Sequence, residues 1–256
     1  MIASQNIGEI CTSLAARTLP LFQTQASILG NVLKKKTKGE LKTLCGVSDG
    51  LSTHVKGLYD ALLVDDEDDA LTVGNKRYNQ AALMFDGPAF RGLAANDLSP
   101  EEGEGLQKHL RILTGLYGYV RPGDLIQEHR LCMGTKLAVS KDHKNLYEFW
   151  SETLAKGILQ DLAQQLNELQ KESKGLKKEK KTRLTPLLIN CASQEYAKCV
   201  LGHLNDGNDV NDVNEGENNI RVVECVFLDG GIIKSAFAKR ARGEIMMCYI
   251  ILCCII

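Results

Sequence analysis

Helical and strand-like segments follow one another in this chain without a regular alternation, and that order limits the folds open to it. Leucines recur at spacings of three, four and seven within residues 7–59, which predicts a series of short helices. Short apolar runs at residues 187–190 and 222–228 predict strands instead. Because a doubly wound sheet needs strands and helices in strict turn, we expect an α+β fold: a single domain over residues 1–256 in which helices surround a mixed sheet.

A capping sequence at Ser99 marks the start of one helix. Ser99 suits the N-cap, Pro100 suits the first helical position, and the acidic residues after them suit the positive end of a helix. The leucines that follow continue the helical spacing, so we expect this helix to end near residues 115–118. A longer amphipathic helix is predicted over residues 145–169. The other predicted elements are strands at residues 79–85 and 232–237 and helices at residues 193–201 and 239–248.

Charge is strongly segregated along the chain although the net charge is only −1. That balance excludes a global basic field of the kind that draws a whole protein to nucleic acid. Acidic or amide-rich runs occupy residues 65–69 and 205–219, and basic runs occupy residues 34–38, 171–183 and 234–242. We interpret 65–69, 171–183 and 205–219 as inserted loops or linkers. The remaining positive charge is local, and it can line a groove.

The cysteines and the chain ends bear on metal binding and location. Nine cysteines are scattered without a C-x-x-C pair, and no group of cysteine and histidine has zinc spacing. We therefore expect reduced intracellular thiols, no bound metal and no cofactor. There is no secretory segment, and the apolar run at residues 245–256 is shorter than the roughly 20 residues that a membrane-spanning helix needs. A buried strand in that run, a cytoplasmic location and no membrane contact are the expectations.

The segment LKTLCGVSDGLSTHV, residues 41–55, fits two interpretations. In a helix-hairpin-helix element, the turn between two short helices presents backbone N–H groups at a helix N-terminus, and these can hold a phosphate of DNA. Here that turn is Gly46, Val47 and Ser48, with serine at the position of the second glycine. The alternative is an ordinary pair of amphipathic helices packed against each other. The segment alone favours neither strongly.

Residues 109–150 combine glycines, arginines and tyrosines with the only tryptophan of the chain. One interpretation is a ligand site, in which arginines such as Arg121 and Arg130 hold an anion and the tyrosines stack on a base. The other is a structural corner, in which the arginines form ion pairs with Asp124 or Glu128. Both interpretations stay open at this stage.

A third basic segment lies near the C-terminus, where four cations occur within nine residues. These are Lys234, Lys239, Arg240 and Arg242. They suit a phosphate-binding rim, although a solvated face is the better explanation for an isolated run of charge.

Catalytic residues are not identified by the sequence. Ser193 precedes a predicted helix, where a serine usually serves as the N-cap, and the five histidines form no cluster that could supply a base. Asp124, Glu148 and Glu195 are available acids without a positioned partner. Direct iron or redox chemistry also lacks a ligand cluster, since single cysteines are more often small core residues.

Several long segments stand in the order found in the YaaA family of peroxide-stress proteins, which the chain resembles. They are LKTLCGVSDGL, FDGPAFRGL, HLRILTGLYGYVRPGDLIQEHRLCMGTKL, NLYEFW, INCASQEYAKCV, VFLDGG and IKSAFAKRARG. The chain departs from the family pattern at Pro88 and Phe90, where the family has aspartate and tyrosine. The family's N-terminal strand and its C-terminal segment are also missing, so we expect a domain that lacks a strand and part of its cleft.

This resemblance implies a mixed α+β fold with a helix-hairpin-helix element and a basic cleft that binds double-stranded DNA through its backbone, with little sequence preference. It also implies a cytoplasmic role in the response to hydroperoxide stress that limits iron-dependent damage. The alternative is an enzyme that acts on a nucleotide or a nucleic-acid lesion in the same cleft. Hairpin logic and charge together give the candidate DNA-binding residues: Gly46, Val47, Ser48, Arg111, Arg121, Arg130, Lys198, Lys234, Lys239, Arg240 and Arg242.

Overall fold

The computed structural model describes residues 14–64, 77–173, 186–204, 220–227, 235–248 and 253–255. The helices are α1 (Gln23–Lys34), α2 (Lys38–Cys45), α3 (Asp49–Ala61), α4 (Ala81–Met84), α5 (Pro88–Leu93), α6 (Pro100–His109), α7 (Leu146–Trp150), α8 (Thr153–Ser173), α9 (Gln194–Leu204) and α10 (Ser235–Cys248), with a 3₁₀ turn at Ala95–Asp97. The strands are β1 (Tyr78–Gln80), β2 (Leu110–Thr114), β3 (Gly118–Val120), β4 (Leu125–Gln127), β5 (Leu187–Asn190), β6 (Arg221–Glu224) and β7 (Cys253–Ile255). Among the described helices, none combines the length and the apolar character needed to cross a bilayer.

The N-terminal part forms the short helices that the leucine spacing predicts. Helix α2 begins with a capping box, in which the Thr37 side chain accepts from the Glu40 N–H and the Glu40 carboxylate accepts from the Thr37 N–H. It ends at Gly46, whose φ of 59° is left-handed and suits glycine. The apolar faces of α1, α2 and α3 are buried, and α3 packs against both of the others.

Helix α6 begins as predicted and ends earlier than predicted. Ser99 and Glu102 form a capping box, and Pro100 occupies the first helical position. The helix stops at His109, however, and Leu110–Thr114 forms strand β2 with all five residues buried. The expectation of a helix to residues 115–118 is therefore wrong. Leucine spacing alone does not separate a short strand buried on both faces from a helix, because both give a largely apolar pattern.

The predicted helix over residues 145–169 is two helices with a break between them. Helix α7 is capped by Asn145, whose side chain accepts from the Glu148 N–H, and it ends at Ser151, where φ is 35°. The break turns Trp150 inward: its side chain is fully buried, and its indole N–H donates to the Gly115 carbonyl at 3.1 Å. Helix α8 then continues to Ser173, so the start of the predicted linker 171–183 is helical. Its remainder and the predicted loops 65–69 and 205–219 lie outside the described residues.

Several other predicted elements are of the expected type but begin or end at different residues. Strand β5 and helices α9 and α10 lie where helices and strands were predicted, and the run at 222–228 contributes the shorter strand β6. Of the strand predicted at 79–85, only β1 forms before helix α4 begins at Ala81. The strand predicted at 232–237 is wrong at its end, because helix α10 starts at Ser235. The C-terminal apolar run contains strand β7, as expected.

The sheet is mixed, as expected, and it has five strands in the order β3-β2-β7-β5-β6. Strands β2, β7, β5 and β6 are parallel to their neighbours, and β3 is antiparallel to β2. A separate antiparallel pair joins β1 to β4. We call the side on which the parallel strands begin the amino edge, and the side on which they end, after Thr114, Asn190 and Glu224, the carboxyl edge. Each candidate residue lies near one or the other of these two edges.

Helix α10 packs closely on α5 through two glycines. A Cβ placed on Gly243 would lie 1.8 Å from the Ala89 carbonyl oxygen, and one placed on Gly92 would lie 2.4 Å from the Arg240 carbonyl oxygen. Both neighbours are backbone atoms of helices, so neither can move aside easily. This contact fixes where α10 presents its basic residues.

The Gly243→Ala variant should therefore be less stable by about 1–3 kcal/mol, because the added methyl forces the two helices apart. Gly202, which is also helical and has open space around its Cα, supplies a matched control. We expect Gly202→Ala to gain about 0.5–1 kcal/mol from helix propensity. Urea unfolding of both variants measures the difference, and equal effects of the two substitutions would contradict the close packing of α10.

Candidate nucleic-acid interface

The sheet separates the candidate cations by edge. Arg111 lies near the start of β2, and Arg121 follows the antiparallel strand β3, so both are at the amino edge. Arg130 is at the carboxyl edge, because the neighbouring His129 lies 2.7 Å from the hydroxyl of Thr114, the last residue of β2. The edges are separated by the length of β2, about 13 Å at the usual rise per strand residue. One small ligand cannot contact both groups.

Arg111 is a buried structural residue. Its Nε donates to Asp161 Oδ2 at 2.6 Å, and its Nη1 donates to the carbonyls of Leu110 and Lys108 at 2.8 and 3.2 Å. The Arg111 side chain is 4% exposed and the Asp161 side chain 9%. The guanidinium faces this carboxylate and not the surface. Arg111 is therefore not available for the direct contact with DNA that was predicted.

Arg121 is the exposed member of the same cluster. Its Nη2 lies 3.3 Å from Asp161 Oδ1, and 36% of its side chain is exposed. Tyr119 donates to Asp161 at 3.1 Å, and burial raises the pKa of Tyr119 far above its usual range, so it stays protonated. Asp161 pairs with both arginines, and of the two guanidinium groups Arg121 is the one that reaches the surface.

The interpretation of residues 109–150 as a structural corner is partly right. Two of its arginines pair with an acid, but that acid is Asp161 and not Asp124 or Glu128. Asp161 pairs with Arg111 and Arg121, from 50 and 40 residues away along the chain. Asp124 instead accepts from the Thr18 hydroxyl at 2.6 Å and from the Arg121 backbone N–H at 2.8 Å, and burial raises the pKa of its carboxyl group. Nothing in the local sequence identified Asp161, which falls on the buried face of helix α8.

Helices α2 and α3 are held against the carboxyl edge beside Arg130. The Tyr59 hydroxyl donates to the Arg130 carbonyl at 2.7 Å, and the Cys45 thiol contacts the same oxygen at 3.2 Å. Burial raises the pKa of Tyr59 far above its usual range, which keeps this donor protonated. The turn that follows Cys45 therefore lies next to the half-exposed Arg130, although the two are distant in sequence.

The turn itself offers different amides from those expected. The Gly46 and Val47 N–H groups donate to Thr43 and Lys42 carbonyls and close helix α2, so they are not available to a ligand. Val47 is also buried. Ser48 caps helix α3 by accepting from the Leu51 N–H at 3.4 Å. The amides that point out of the helix are those of its first turn, which have no partner within a helix.

Asp49 occupies this first turn of α3. Lys42 and Lys38 each lie 3.4 Å from its carboxylate, and Lys42 first and Lys38 second hold the pKa of Asp49 below its usual value. All three side chains are exposed. A carboxylate is thus in the position where a phosphate would be held by the helix N-terminus.

Lys198 and the residues around it extend the carboxyl edge along helix α9. The Glu195 carboxylate accepts from the Gly134 N–H at 2.9 Å, and the Tyr147 hydroxyl donates to the Glu195 carbonyl at 2.9 Å. The Lys198 ammonium lies 5.0 Å from the centre of the Tyr147 ring, a cation–π contact that leaves it exposed. The Ser193 carbonyl accepts the first helical bonds of α9, which agrees with the expected capping position.

Helix α10 presents cations in two environments. Lys239 and Arg240 are exposed, and Arg240 forms an ion pair with Glu244 at 2.7 Å. Arg242 is half-buried, with its guanidinium 5.8 Å from the centre of the Phe227 ring. Burial lowers the pKa of Arg242. Because Phe227 follows strand β6, its contact with Arg242 places this side chain at the carboxyl edge. Lys234, the fourth predicted cation of this segment, lies outside the described residues.

A metal site would need several histidine, cysteine or acidic side chains close together. In the part of the chain that the structure describes, no three residues among histidine, cysteine, aspartate and glutamate are grouped to hold a metal ion. His129, which the sequence left unassigned, is buried between Thr114 and the Gln127 carbonyl at 2.7 and 2.9 Å. Burial lowers the pKa of His129 to about 4, so the ring is neutral and structural.

Comparison with known proteins finds one family over nearly the whole chain. The family described as "Peroxide stress protein YaaA" matches residues 4–252. A UPF0246 protein of Bordetella avium is 40% identical over 230 residues, which is 88% of this chain and 74% of that protein. A UPF0246 protein of Roseobacter denitrificans is 35% identical over 232 residues, again 88% of this chain and 74% of that protein.

Replacement of Arg111 tests the structural role of the amino edge. Arg111→Met should lower the free energy of unfolding by about 3–5 kcal/mol, because it leaves the Asp161 carboxylate buried with weaker partners. Arg121→Met, at a half-exposed position, should cost about 1 kcal/mol or less. Urea unfolding of both variants, and of the Arg111→Met/Asp161→Leu double variant, measures these effects. The double variant should recover most of the loss, and failure to do so would argue against a buried ion pair.

Proposed function

Because the chain belongs to the YaaA family of peroxide stress proteins, we propose that it binds the phosphate backbone of duplex DNA in the cell's response to hydroperoxides. Family membership, which the sequence resemblance predicted, is confirmed and supports the role in oxidative stress. The contact with DNA is the finer part of the proposal, and we place it in the cytoplasm. Its support is the arrangement of groups at the carboxyl edge.

The turn between α2 and α3 carries the proposal. A helix N-terminus, two lysines and a sharp left-handed turn at Gly46 occur together on an exposed surface. Such a helix end binds phosphate through backbone amides and does not read bases, which suits contact with any duplex sequence. We propose that α2, the turn and α3 act as a helix-hairpin-helix element. Its ligand-facing amides are those of Asp49 and Gly50, and Ser48 orders them as the cap.

The other cations of the carboxyl edge would continue this contact and form a basic cleft. Arg130 lies beside the turn, Lys198 is exposed on α9, and α10 adds Lys239 and Arg240. Ligands of parallel sheets usually bind at the carboxyl ends of the strands, and these cations lie at that edge. Arg121 is a separate cation at the amino edge, and Arg111 supports the fold and has no part in the proposed contact.

Backbone binding of this kind also gives a physical route to protection from iron. A protein that neutralises phosphates with lysine and arginine releases the cations condensed on the DNA. Fe²⁺ held near the phosphates would be released with the other cations. Peroxide would then meet less iron at the DNA surface, so damage from radicals formed there would fall.

The salt dependence of duplex binding tests this proposal. About four phosphate contacts predict that affinity falls roughly a hundredfold between 50 and 200 mM salt. Fluorescence anisotropy with a labelled duplex of mixed sequence measures the slope, and a second duplex of different sequence should bind equally well. Binding that does not change with salt, or that depends strongly on sequence, would contradict backbone recognition.

Asp49 gives a sharper test that predicts a gain of affinity. If a phosphate binds at the first turn of α3, Asp49→Asn removes a competing carboxylate and should raise duplex affinity about two- to fivefold. Asp60→Asn is the matched control, since Asp60 is an exposed acid at the other end of α3 that also pairs with a lysine, Lys56. The control should leave affinity nearly unchanged. If both variants bind equally more tightly, only the net charge matters and the turn is not the contact.

A further inference from the structure

Two cysteines lie side by side where neighbouring parallel strands end. Cys191 follows Asn190, the last residue of β5, and Cys225 follows Glu224, the last residue of β6. Asn190 and Glu224 are partners in register, and the Cys225 N–H donates to the Asn190 carbonyl at 2.9 Å. Neighbouring strands are about 4.8 Å apart. That spacing lies within the range of about 4.4–6.8 Å between the Cα atoms of disulfide-bonded cysteines.

The two side chains face each other and differ in exposure. Both are thiols in the structure; Cys191 is fully buried and Cys225 is half-buried. Burial raises the pKa of Cys225 to about 11, and a hydrogen bond with the Cys191 thiol adds to this effect. The register of β5 and β6 therefore brings the two thiols next to each other, and Cys225 is the one that a small solute can reach.

A positive charge lies beside this pair. The Arg242 guanidinium lies 5.8 Å from the centre of the ring of Phe227, which is two residues after Cys225. The Arg242 Nε is buried and has no hydrogen-bond acceptor among the described residues. A guanidinium next to a thiol favours the thiolate, which is the nucleophilic form. The arginine thus supports Cys191 as an attacking group.

We propose that Cys191 and Cys225 are a modification site at which hydrogen peroxide forms a reversible disulfide. The sulfur of Cys225 attacks one peroxide oxygen, the O–O bond breaks, and water leaves, which gives a sulfenic acid at Cys225. The Cys191 sulfur then attacks the Cys225 sulfur, the S–O bond breaks, and a second water leaves. Two thiols supply the two electrons that reduce one peroxide, and their two protons end in the waters.

This inference rests on the family's role in peroxide stress and not on the proposed contact with DNA. The site lies in the carboxyl edge but uses groups that the DNA proposal does not need. Oxidation is expected to be slow at neutral pH and faster at higher pH, because Cys225 reacts as the thiolate. A dithiol reductant should restore both thiols.

Disulfide mapping of the full chain without DNA tests the proposal. The reduced protein is treated with hydrogen peroxide, the remaining thiols are alkylated, and the digest is examined by mass spectrometry. We expect a linked Cys191–Cys225 species that a dithiol removes. Cys191→Ser should abolish it and leave a sulfenic acid at Cys225 that dimedone traps. Cys199→Ser, which replaces another buried thiol on α9, should leave the linkage unchanged.

The Arg242→Met variant distinguishes an effect of Arg242 on the reaction from an effect on the fold. It should slow formation of the linkage while oxidation of the exposed Cys132 keeps its rate. The proposal is overturned if peroxide oxidises Cys132 or other cysteines and no Cys191–Cys225 linkage forms. It is also overturned if the linkage appears only in denaturant. Neither result would bear on duplex binding, which is measured separately with reduced protein.

Discussion

The rest of the fold depends on the interactions of the buried Asp161 carboxylate. A carboxylate in the interior must be neutralised and hydrogen-bonded, and here Arg111, Arg121 and Tyr119 together do this. These partners come from β2, from β3 and from the residue after β3, so the ion pair fixes helix α8 across the sheet at its amino edge. The break before α8 then places Trp150 in the core, where its indole binds the carbonyl of Gly115. One buried charge thus connects the longest described helix, two strands and the main aromatic cluster.

The two edges of the sheet have different physical characters. At the amino edge the charges are mostly buried and paired, which gives a fixed arrangement and little surface for a ligand. At the carboxyl edge the cations are exposed or half-exposed, and they come from four separate elements: α2, the segment after β4, α9 and α10. Exposed cations contribute little to stability, since solvent and salt screen them. The cations of the carboxyl edge therefore add little to the stability of the fold.

Local sequence signals predicted what is locally determined. The Ser99 cap and strand β5 follow from neighbours a few residues apart, and the structure agrees. The helix predicted through Leu113 failed because a strand buried on both faces resembles a buried helix in its apolar pattern. The break at Ser151 was not predicted, because it depends on a pocket for Trp150 that distant residues form. Asp161 could not be assigned to Arg111, since 50 residues separate them and several acids were nearer. The candidate DNA-binding residues were chosen by charge, and charge does not indicate which edge of a sheet a side chain faces.

Arg242 connects the two proposals, because it belongs to the cation-bearing helix α10 and also adjoins Cys191. A thiol and a disulfide are both uncharged, so oxidation of the pair leaves the charge of Arg242 unchanged. Oxidation would instead join the ends of β5 and β6 beside this side chain, and any effect on DNA binding would come from the position of Arg242 and not from its charge. The linkage is reciprocal: a ligand that binds more tightly to the oxidised form also makes oxidation more favourable while it is bound.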